Sequence, residues 1–278
     1  MSVAPLLADG PFVTDGGLET DLLFHHGFDL PEFAAFPLLE DRAGRAALDA
    51  YYDQYAAIAR AAGQGLLLET PTWRANPDWA EKIGYDRGAL DRANREAVNL
   101  VRRAQERAGV DRSLVVGIHG PRGDGYVAGA PADPDQAAEY HAVQARSFAD
   151  EGVDLVHAMT MTTTEEATGV VLAARSAGLP VAVSFTVETD GRLPDGTPLR
   201  TAVERVDGLA APDWFGINCA HPTHIAPAFD GGAWQERVGG IRPNASTLTH
   251  DELDVMEDLD EGDLELLIDS FNRLRSHL

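Results

Sequence analysis

Seven short apolar runs, each followed by a stretch of different periodicity, constrain this chain more than any other feature. They are Phe12-Val-Thr-Asp15, Leu66-Leu-Leu-Glu69, Leu114-Val-Val-Gly-Ile118, Leu155-Val-His-Ala-Met159, Val181-Ala-Val-Ser-Phe-Thr186, Trp214-Phe-Gly-Ile-Asn-Cys219 and Val238-Gly-Gly-Ile-Arg242. Unbroken apolar runs of this length suit strands buried on both faces, as in a parallel sheet. The segments between them have helical spacing. Leu48, Tyr51, Tyr52, Tyr55, Ile58, Ala59 and Ala62 form one stripe; Leu90, Ala93, Ala97, Leu100, Val101, Ala104 and Ala108 form another. Asp133-Pro134 reads as a helix cap and first helical position, and Thr163-x-x-Glu166 as a capping box.

Strands alternating with helices predict an α/β protein. Seven such units without a break predict a TIM-type (βα)8 barrel, a single domain over residues 1–278 in which only about seven βα units are present. The last segment, Asp263 to Leu278, is an amphipathic helix with Leu264, Leu267, Ile268, Phe271, Leu274 and Leu278 on one face. No eighth strand follows it, so the barrel is expected to be C-terminally incomplete.

Charge excludes whole classes of partner. Asp and Glu number 45 against 22 Lys plus Arg, a formal net charge of −23, and Lys82 is the only lysine. Nucleic acid and anionic membrane are polyanions and would be repelled. Acid spread along the chain with little lysine suits a halophilic surface, where salt screens self-repulsion; a GC-rich genome, which favours Arg over Lys, is the rival explanation. The N-terminus lacks a signal-peptide pattern and no apolar run approaches bilayer length, so a cytoplasmic location is expected. No G-x-G-x-x-G follows a strand and no P-loop is present. Gly120-Pro-Arg-Gly-Asp-Gly125 and Leu193-Pro-Asp-Gly-Thr-Pro198 read as mobile βα loops.

In βα barrels the chemistry lies at the C-terminal ends of the strands. Those ends carry Asp15, Glu69, Thr70, Thr160, Thr186, Asn218, Cys219 and Asn244. At Asp15-Gly16-Gly17 the glycines would let a ligand approach the backbone while the carboxylate holds an ammonium group; a tight turn with a capping aspartate is the alternative. Cys219 is the only cysteine, which rules out an internal disulfide framework. With His221 and His224 it forms a C-x-H-x-x-H cluster open to three readings: a metal site, a thiol nucleophile with His221 as base, or a packed cysteine beside loop histidines.

Taken in order, several pieces resemble the homocysteine S-methyltransferase family. They are Thr14-Asp-Gly-Gly-Leu-Glu-Thr20, Glu69-Thr-Pro-Thr72, Gly117-Ile-His-Gly-Pro121, Glu151-Gly-Val-Asp-Leu155 with Glu166-Ala167, Val183-Ser-Phe-Thr186 with Asp195-Gly-Thr-Pro-Leu199, Gly216-Ile-Asn-Cys219 and Pro243-Asn-Ala245. Each is weak alone; the ordered set spans nearly the whole chain. The resemblance implies a zinc-dependent barrel that methylates the homocysteine thiol to give methionine, zinc being held by three cysteine thiolates. Cys219 matches the first ligand, and so also the catalytic position. Asp15 and Gly16 match positions that hold the amino-acid end of homocysteine, and Gly17, Glu69, Thr70 and Asn218 complete the expected substrate-binding set. Zinc would keep the substrate thiol as thiolate at neutral pH.

Two departures matter. The family's Gly-Gly-Cys-Cys motif, with the other two zinc ligands, is not in this sequence. Met159-Thr160 stands where the family commonly has Glu-Thr, and a thioether cannot pair with an ammonium; Glu69 is the carboxylate at the neighbouring strand end available for that role. The expected partners are a small-molecule thiol substrate and a methyl donor, with a homo-oligomer left open. Two alternatives stand beside this: a catalytically inactive or partner-completed truncated barrel, and a metal-independent barrel enzyme using Asp15 and Glu69 as acid and base.

Overall fold

A computed structural model of the chain describes residues 9–129 and 133–275. The seven apolar runs form β1 (Phe12–Val13), β2 (Gly65–Glu69), β3 (Ser113–His119), β4 (Leu155–Met161), β5 (Val181–Phe185), β6 (Trp214–Asn218) and β7 (Val238–Arg242). They make one seven-stranded sheet in the order β1-β2-β3-β4-β5-β6-β7. Pairs β1–β2, β2–β3, β5–β6 and β6–β7 are parallel. This is an α/β fold with the topology of an incomplete (βα)-type barrel of about seven units. Every residue of β2, β4 and β5 is buried, which explains why their sequences do not alternate.

The longer helices follow the strands: α1 (Arg42–Ala62), α2 (Arg87–Ala108), α3 (Pro134–Glu151), α4 (Thr164–Ser176), α5 (Leu199–Leu209) and α6 (Leu264–Arg275). Local chemistry sets their ends. Asp41 accepts the Ala43 and Gly44 amides to open α1, and Gly63, at φ 63°, closes it in the left-handed region where glycine has no Cβ penalty. Asp86 caps α2 through the Ala89 amide. Asp133 accepts the Asp135 and Gln136 amides at the start of α3, and Thr163 accepts the Glu166 amide at the start of α4. Among the described residues no helix is long and apolar enough to cross a membrane.

Two compact units divide the chain. The first comprises residues 1–122, 139–157 and 173–181; the second comprises 123–138, 158–172 and 182–278. In the first, α1 buries Leu48, Tyr51, Tyr52, Ala56 and Ala59. Ile58 and Ala62, expected on that stripe, are exposed: at 100° per residue Ile58 falls just outside the buried arc, whereas Ala62 falls inside it but is the last residue of the helix. The second stripe is buried apart from half-buried Ala93, and Asn94 lies within it, bonded to the carbonyls of Ala75 and Leu90.

In the second unit, Phe185 and Phe215 stack at 6.1 Å across β5–β6. Ser184 pairs with Gly216 in that ladder, and a Cβ built on Gly216 would lie 2.3 Å from Ser184 Oγ. Gly216→Ala is therefore expected to destabilise the fold by about 1–3 kcal/mol in urea unfolding, and Ser184→Ala beside it should recover most of that. The expected helix forms as α6, and its apolar face is covered over part of its length. Only Leu274 on its apolar face is buried, Leu267 and Phe271 are half-buried, and Leu264 and Ile268 are exposed. Helical spacing marks which residues share a face, not how far along it a neighbour extends. Leu278 lies outside the described residues.

Candidate functional site

The candidate residues fall in both units. In the first, β1 runs into Asp15-Gly16-Gly17 over a group of three tyrosines from α1. Tyr51 Oη accepts the Gly16 amide at 3.1 Å, and Tyr52 donates to the Glu69 carbonyl at 2.7 Å. The Thr14 hydroxyl donates to the Asp15 carbonyl at 2.9 Å. Gly16 is required by crowding: a Cβ there would sit 2.5 Å from the Tyr55 hydroxyl oxygen. Gly17, not Asp15, is the cap residue of the short helical turn Leu18–Thr20, and it makes no side-chain cap bond.

Asp15 and Glu69 are both buried, at 5% and 4% exposure. Burial pushes the Tyr52 phenol well above its ordinary pKa, and the charges of Asp15, Glu19, Glu69 and Asp49 push it further. Tyr55 is raised by burial first; its hydrogen bond to Tyr51 opposes this, and Asp15 adds to it. The two buried carboxylates thus both act on one phenol. Glu69 Oε1 also lies 3.9 Å from Nδ1 of the buried His157 in β4. Thr70 is placed differently. Its hydroxyl accepts the Ile118 amide at 2.9 Å and meets the Thr72 hydroxyl at 2.6 Å, while Thr72 donates to the Ile118 carbonyl at 2.8 Å. The Thr72 proton is therefore engaged, Thr70 is the donor between them, and its hydroxyl serves the β2–β3 junction.

In the second unit the ends of β4 and β6 interlock. Asn218 accepts the Thr160 amide at 2.9 Å and donates to Thr160 Oγ1 at 2.8 Å and to Cys219 Sγ at 3.0 Å. Thr160 Oγ1 lies 3.9 Å from the same sulfur. Thr160 and Cys219 both have left-handed backbones, φ 58° and 57°. Such conformations in non-glycine residues cost about 1–3 kcal/mol each and cluster at functional sites. The Cys219 amide donates to the Arg242 carbonyl at 3.1 Å, and its carbonyl accepts from His250 Nε2 at 2.8 Å. His250 Nδ1 faces Glu188 Oε1 at 2.9 Å, and its ring stacks on Tyr126 at 4.2 Å. The Asn244 amide donates to the Ala220 carbonyl at 3.0 Å, whereas Thr186 is fully buried with its hydroxyl unpartnered among the described residues.

Cys219 is half-buried, not packed in a core. The neighbouring histidines point their chemistry elsewhere. His221 Nδ1 accepts the Thr223 amide at 3.2 Å, so Nε2 carries the proton and cannot act as a base. His224 Nε2 bonds the Thr247 carbonyl at 3.1 Å. Burial lowers the pKa of both rings; the nearby His224 lowers His221 further.

Zinc fits this donor set poorly. A catalytic zinc takes three protein ligands. The Cys219 sulfur has an amide and a hydroxyl as its described neighbours, and among the described residues no group of three or more His, Cys, Asp and Glu is placed to hold a metal. The residues present do not make up the centre that the resemblance implies.

Tyr51, Tyr52, Tyr55, His157, Glu188, Tyr126 and His250 escaped the reading of strand ends as site residues. Buried tyrosine hydroxyls need partners, a signal the Tyr51-Tyr52-Tyr55 cluster does carry. Thr249-x-x-Glu252, here a complete capping box, marks the helix start that bears His250.

The model of the homocysteine S-methyltransferase family matches residues 12–265. The chain belongs to this family. Among solved structures it is similar to the homocysteine methyltransferase MmuM from Escherichia coli. The metallated form has 24% identity and a TM-score of 0.67, with 82% of this chain and 81% of that chain covered. The oxidised form has 23% identity and a TM-score of 0.69 over the same shares. The apo form has 22% identity and a TM-score of 0.63, covering 91% of this chain and 89% of that chain. At these identities the likeness shows the fold. Comparison with curated proteins gives no significant match. Family membership supports a methyltransferase-type function and, in general terms, a metal-binding methyltransferase fold.

Proposed function

We propose that this homocysteine S-methyltransferase family member binds homocysteine, or a closely related amino-acid thiol, for methyl transfer to its sulfur, giving methionine in the first case. The observation that carries this reading is the pair of buried carboxylates, Asp15 and Glu69, around the Tyr52 phenol in a chain matched to the family over residues 12–265. Their field favours the substrate ammonium. Glu69 takes the part that Met159, buried in β4, cannot. Gly16 and Gly17 let the turn seat against Tyr51 and Tyr55 and so fix Asp15 for the amino-acid end, and Thr70 holds the strand end from which Glu69 projects. In the second unit Asn218 orients Cys219, the position that matches the family's first metal ligand. Zinc assistance would need donors beyond Cys219, so in this reading the part carried by this chain's own residues is recognition of the amino-acid end by Asp15 and Glu69, in the cytoplasm.

Isothermal titration with homocysteine, and with a mercapto acid lacking the amino group, tests this. Asp15→Asn and Glu69→Gln should each weaken homocysteine binding by about 2 kcal/mol, roughly 30-fold, and leave the mercapto acid little changed. Equal binding of both thiols by the unsubstituted chain would sink the reading.

The limited donor set around Cys219 favours a second reading, a non-catalytic or partner-completed barrel. Homocysteine binding without methyl transfer from S-adenosylmethionine, S-methylmethionine, betaine or methylated folate would select it.

A further inference from the structure

We propose that His250 is a positioning residue that holds the Cys219 peptide in its left-handed conformation and so aims the thiol at Asn218. Cys219 at φ 57° is strained on its own, and bonds on both sides hold it there: its amide to the Arg242 carbonyl, and its carbonyl to His250. A carbonyl only accepts, so Nε2 is the donor. His250 is itself fixed from several directions. It is 6% exposed, its Nδ1 meets Glu188 at 2.9 Å, and its ring lies 20° from the plane of Tyr126. It also occupies the first helical position after Thr249, whose hydroxyl accepts the Glu252 amide while the Glu252 carboxylate accepts the Thr249 amide.

The order of dependence follows from this geometry. Tyr126, Glu188 and the capping box fix the imidazole, the imidazole fixes the Cys219 carbonyl, and the carbonyl fixes the direction of Cα–Cβ. Only with that direction does Sγ meet Asn218 Nδ2 at 3.0 Å. Were the carbonyl released, Cys219 would relax toward an ordinary φ and the sulfur would leave the amide. The inference rests on the reading of Cys219 as a functional position, but its test needs no methyl transfer, so either can fail without the other.

Cys219 is the only cysteine, so [13C]cysteine labelling of the full chain gives one Cα and one Cβ resonance, whose shifts report φ and ψ. His250→Leu should move these resonances away from left-handed values. His250→Gln, whose amide N–H can replace Nε2, should keep them. Alkylation by iodoacetamide at fixed pH, with a chelator present, should slow about tenfold in the Leu variant as the sulfur loses its donor, and less than threefold in the Gln variant. Unmoved resonances in a folded Leu variant, or equal displacement in Leu and Gln, would overturn the proposal. Should His250→Leu fail to fold by circular dichroism, Glu188→Ala decides: displaced resonances support the proposal and unmoved ones overturn it.

Discussion

Acidifying the protein from pH 7 to pH 5 is expected to remove about 2 kcal/mol of stability through one residue, His119. Its ring is fully buried at the end of β3, edge-on to Phe148 at 5.2 Å and to His141 at 5.7 Å. Burial, with a smaller contribution from His141, lowers its pKa from 6.5 to about 3. The unfolded chain takes up a proton as pH falls below 6.5, while the folded chain does not until about 3. Unfolding therefore gains a proton over that window. The stabilisation is complete above 6.5 and is lost toward the folded value, at about 1.4 kcal/mol per pH unit. His221 and His224 are lowered too and act with the same sign. Carboxyls held below their ordinary value, such as Asp230 by the hydrogen bond from Trp234, act with the same sign, while relief of repulsion in a chain of net charge −23 acts oppositely, so a single pH curve is ambiguous. The difference between two curves is not. His119→Phe keeps the ring contacts and removes the titration, so its urea unfolding free energy should fall less between pH 7 and 5 by about 2 kcal/mol. Parallel curves for parent and variant would contradict the argument.

His119 also illustrates what the sequence makes legible. Gly117-Ile-His-Gly-Pro121 points to a strand end and to the family, yet nothing in it says that His119 faces Phe148 and His141. The strands were legible because burial on both faces leaves unbroken apolar runs, and two helix starts because Asp133 and Thr163 bond to amides two or three residues ahead; Asp41 and Asp86 cap α1 and α2 in the same way. Contacts between distant segments leave no such trace. Thr249-x-x-Glu252 places His250 on a helix, but the carbonyl it meets lies 31 residues earlier. His157 sits in an apolar run whose pattern is satisfied without asking what the imidazole touches. Asp15, Glu69, Asn218 and Cys219 stand out in the sequence as candidates because strand ends in a βα fold gather polar side chains. Thr70 was grouped with them by the same rule, and only geometry reveals that its hydroxyl joins β2 to β3.

The tyrosines of α1 carry the second large effect. Their spacing reads as core, and their rings are core, but the Tyr51 hydroxyl accepts the Gly16 amide and the Tyr55 hydroxyl crowds Gly16. Gly16→Ala should destabilise the protein by about 1–3 kcal/mol, because a new Cβ 2.5 Å from the Tyr55 oxygen forces one of them to move. The next atom of that ring lies 3.6 Å away, an ordinary contact, so the hydroxyl alone is the obstacle. Tyr55→Phe removes it and should itself cost about 1 kcal/mol for the lost hydrogen bonding. In the double variant Gly16→Ala/Tyr55→Phe the methyl group occupies the space the oxygen leaves. Its urea midpoint should therefore exceed that of Gly16→Ala alone, with a coupling energy of about 1–2 kcal/mol. Homocysteine affinity separates packing from recognition. If the turn presents Asp15 to the substrate ammonium, Gly16→Ala should weaken binding about tenfold and the double variant should restore most of it. Additive stabilities in the cycle would mean the Tyr55 hydroxyl is not the obstacle to the new methyl group. Recovered stability without recovered binding would separate the turn from the substrate and leave Asp15 as a buried structural carboxylate.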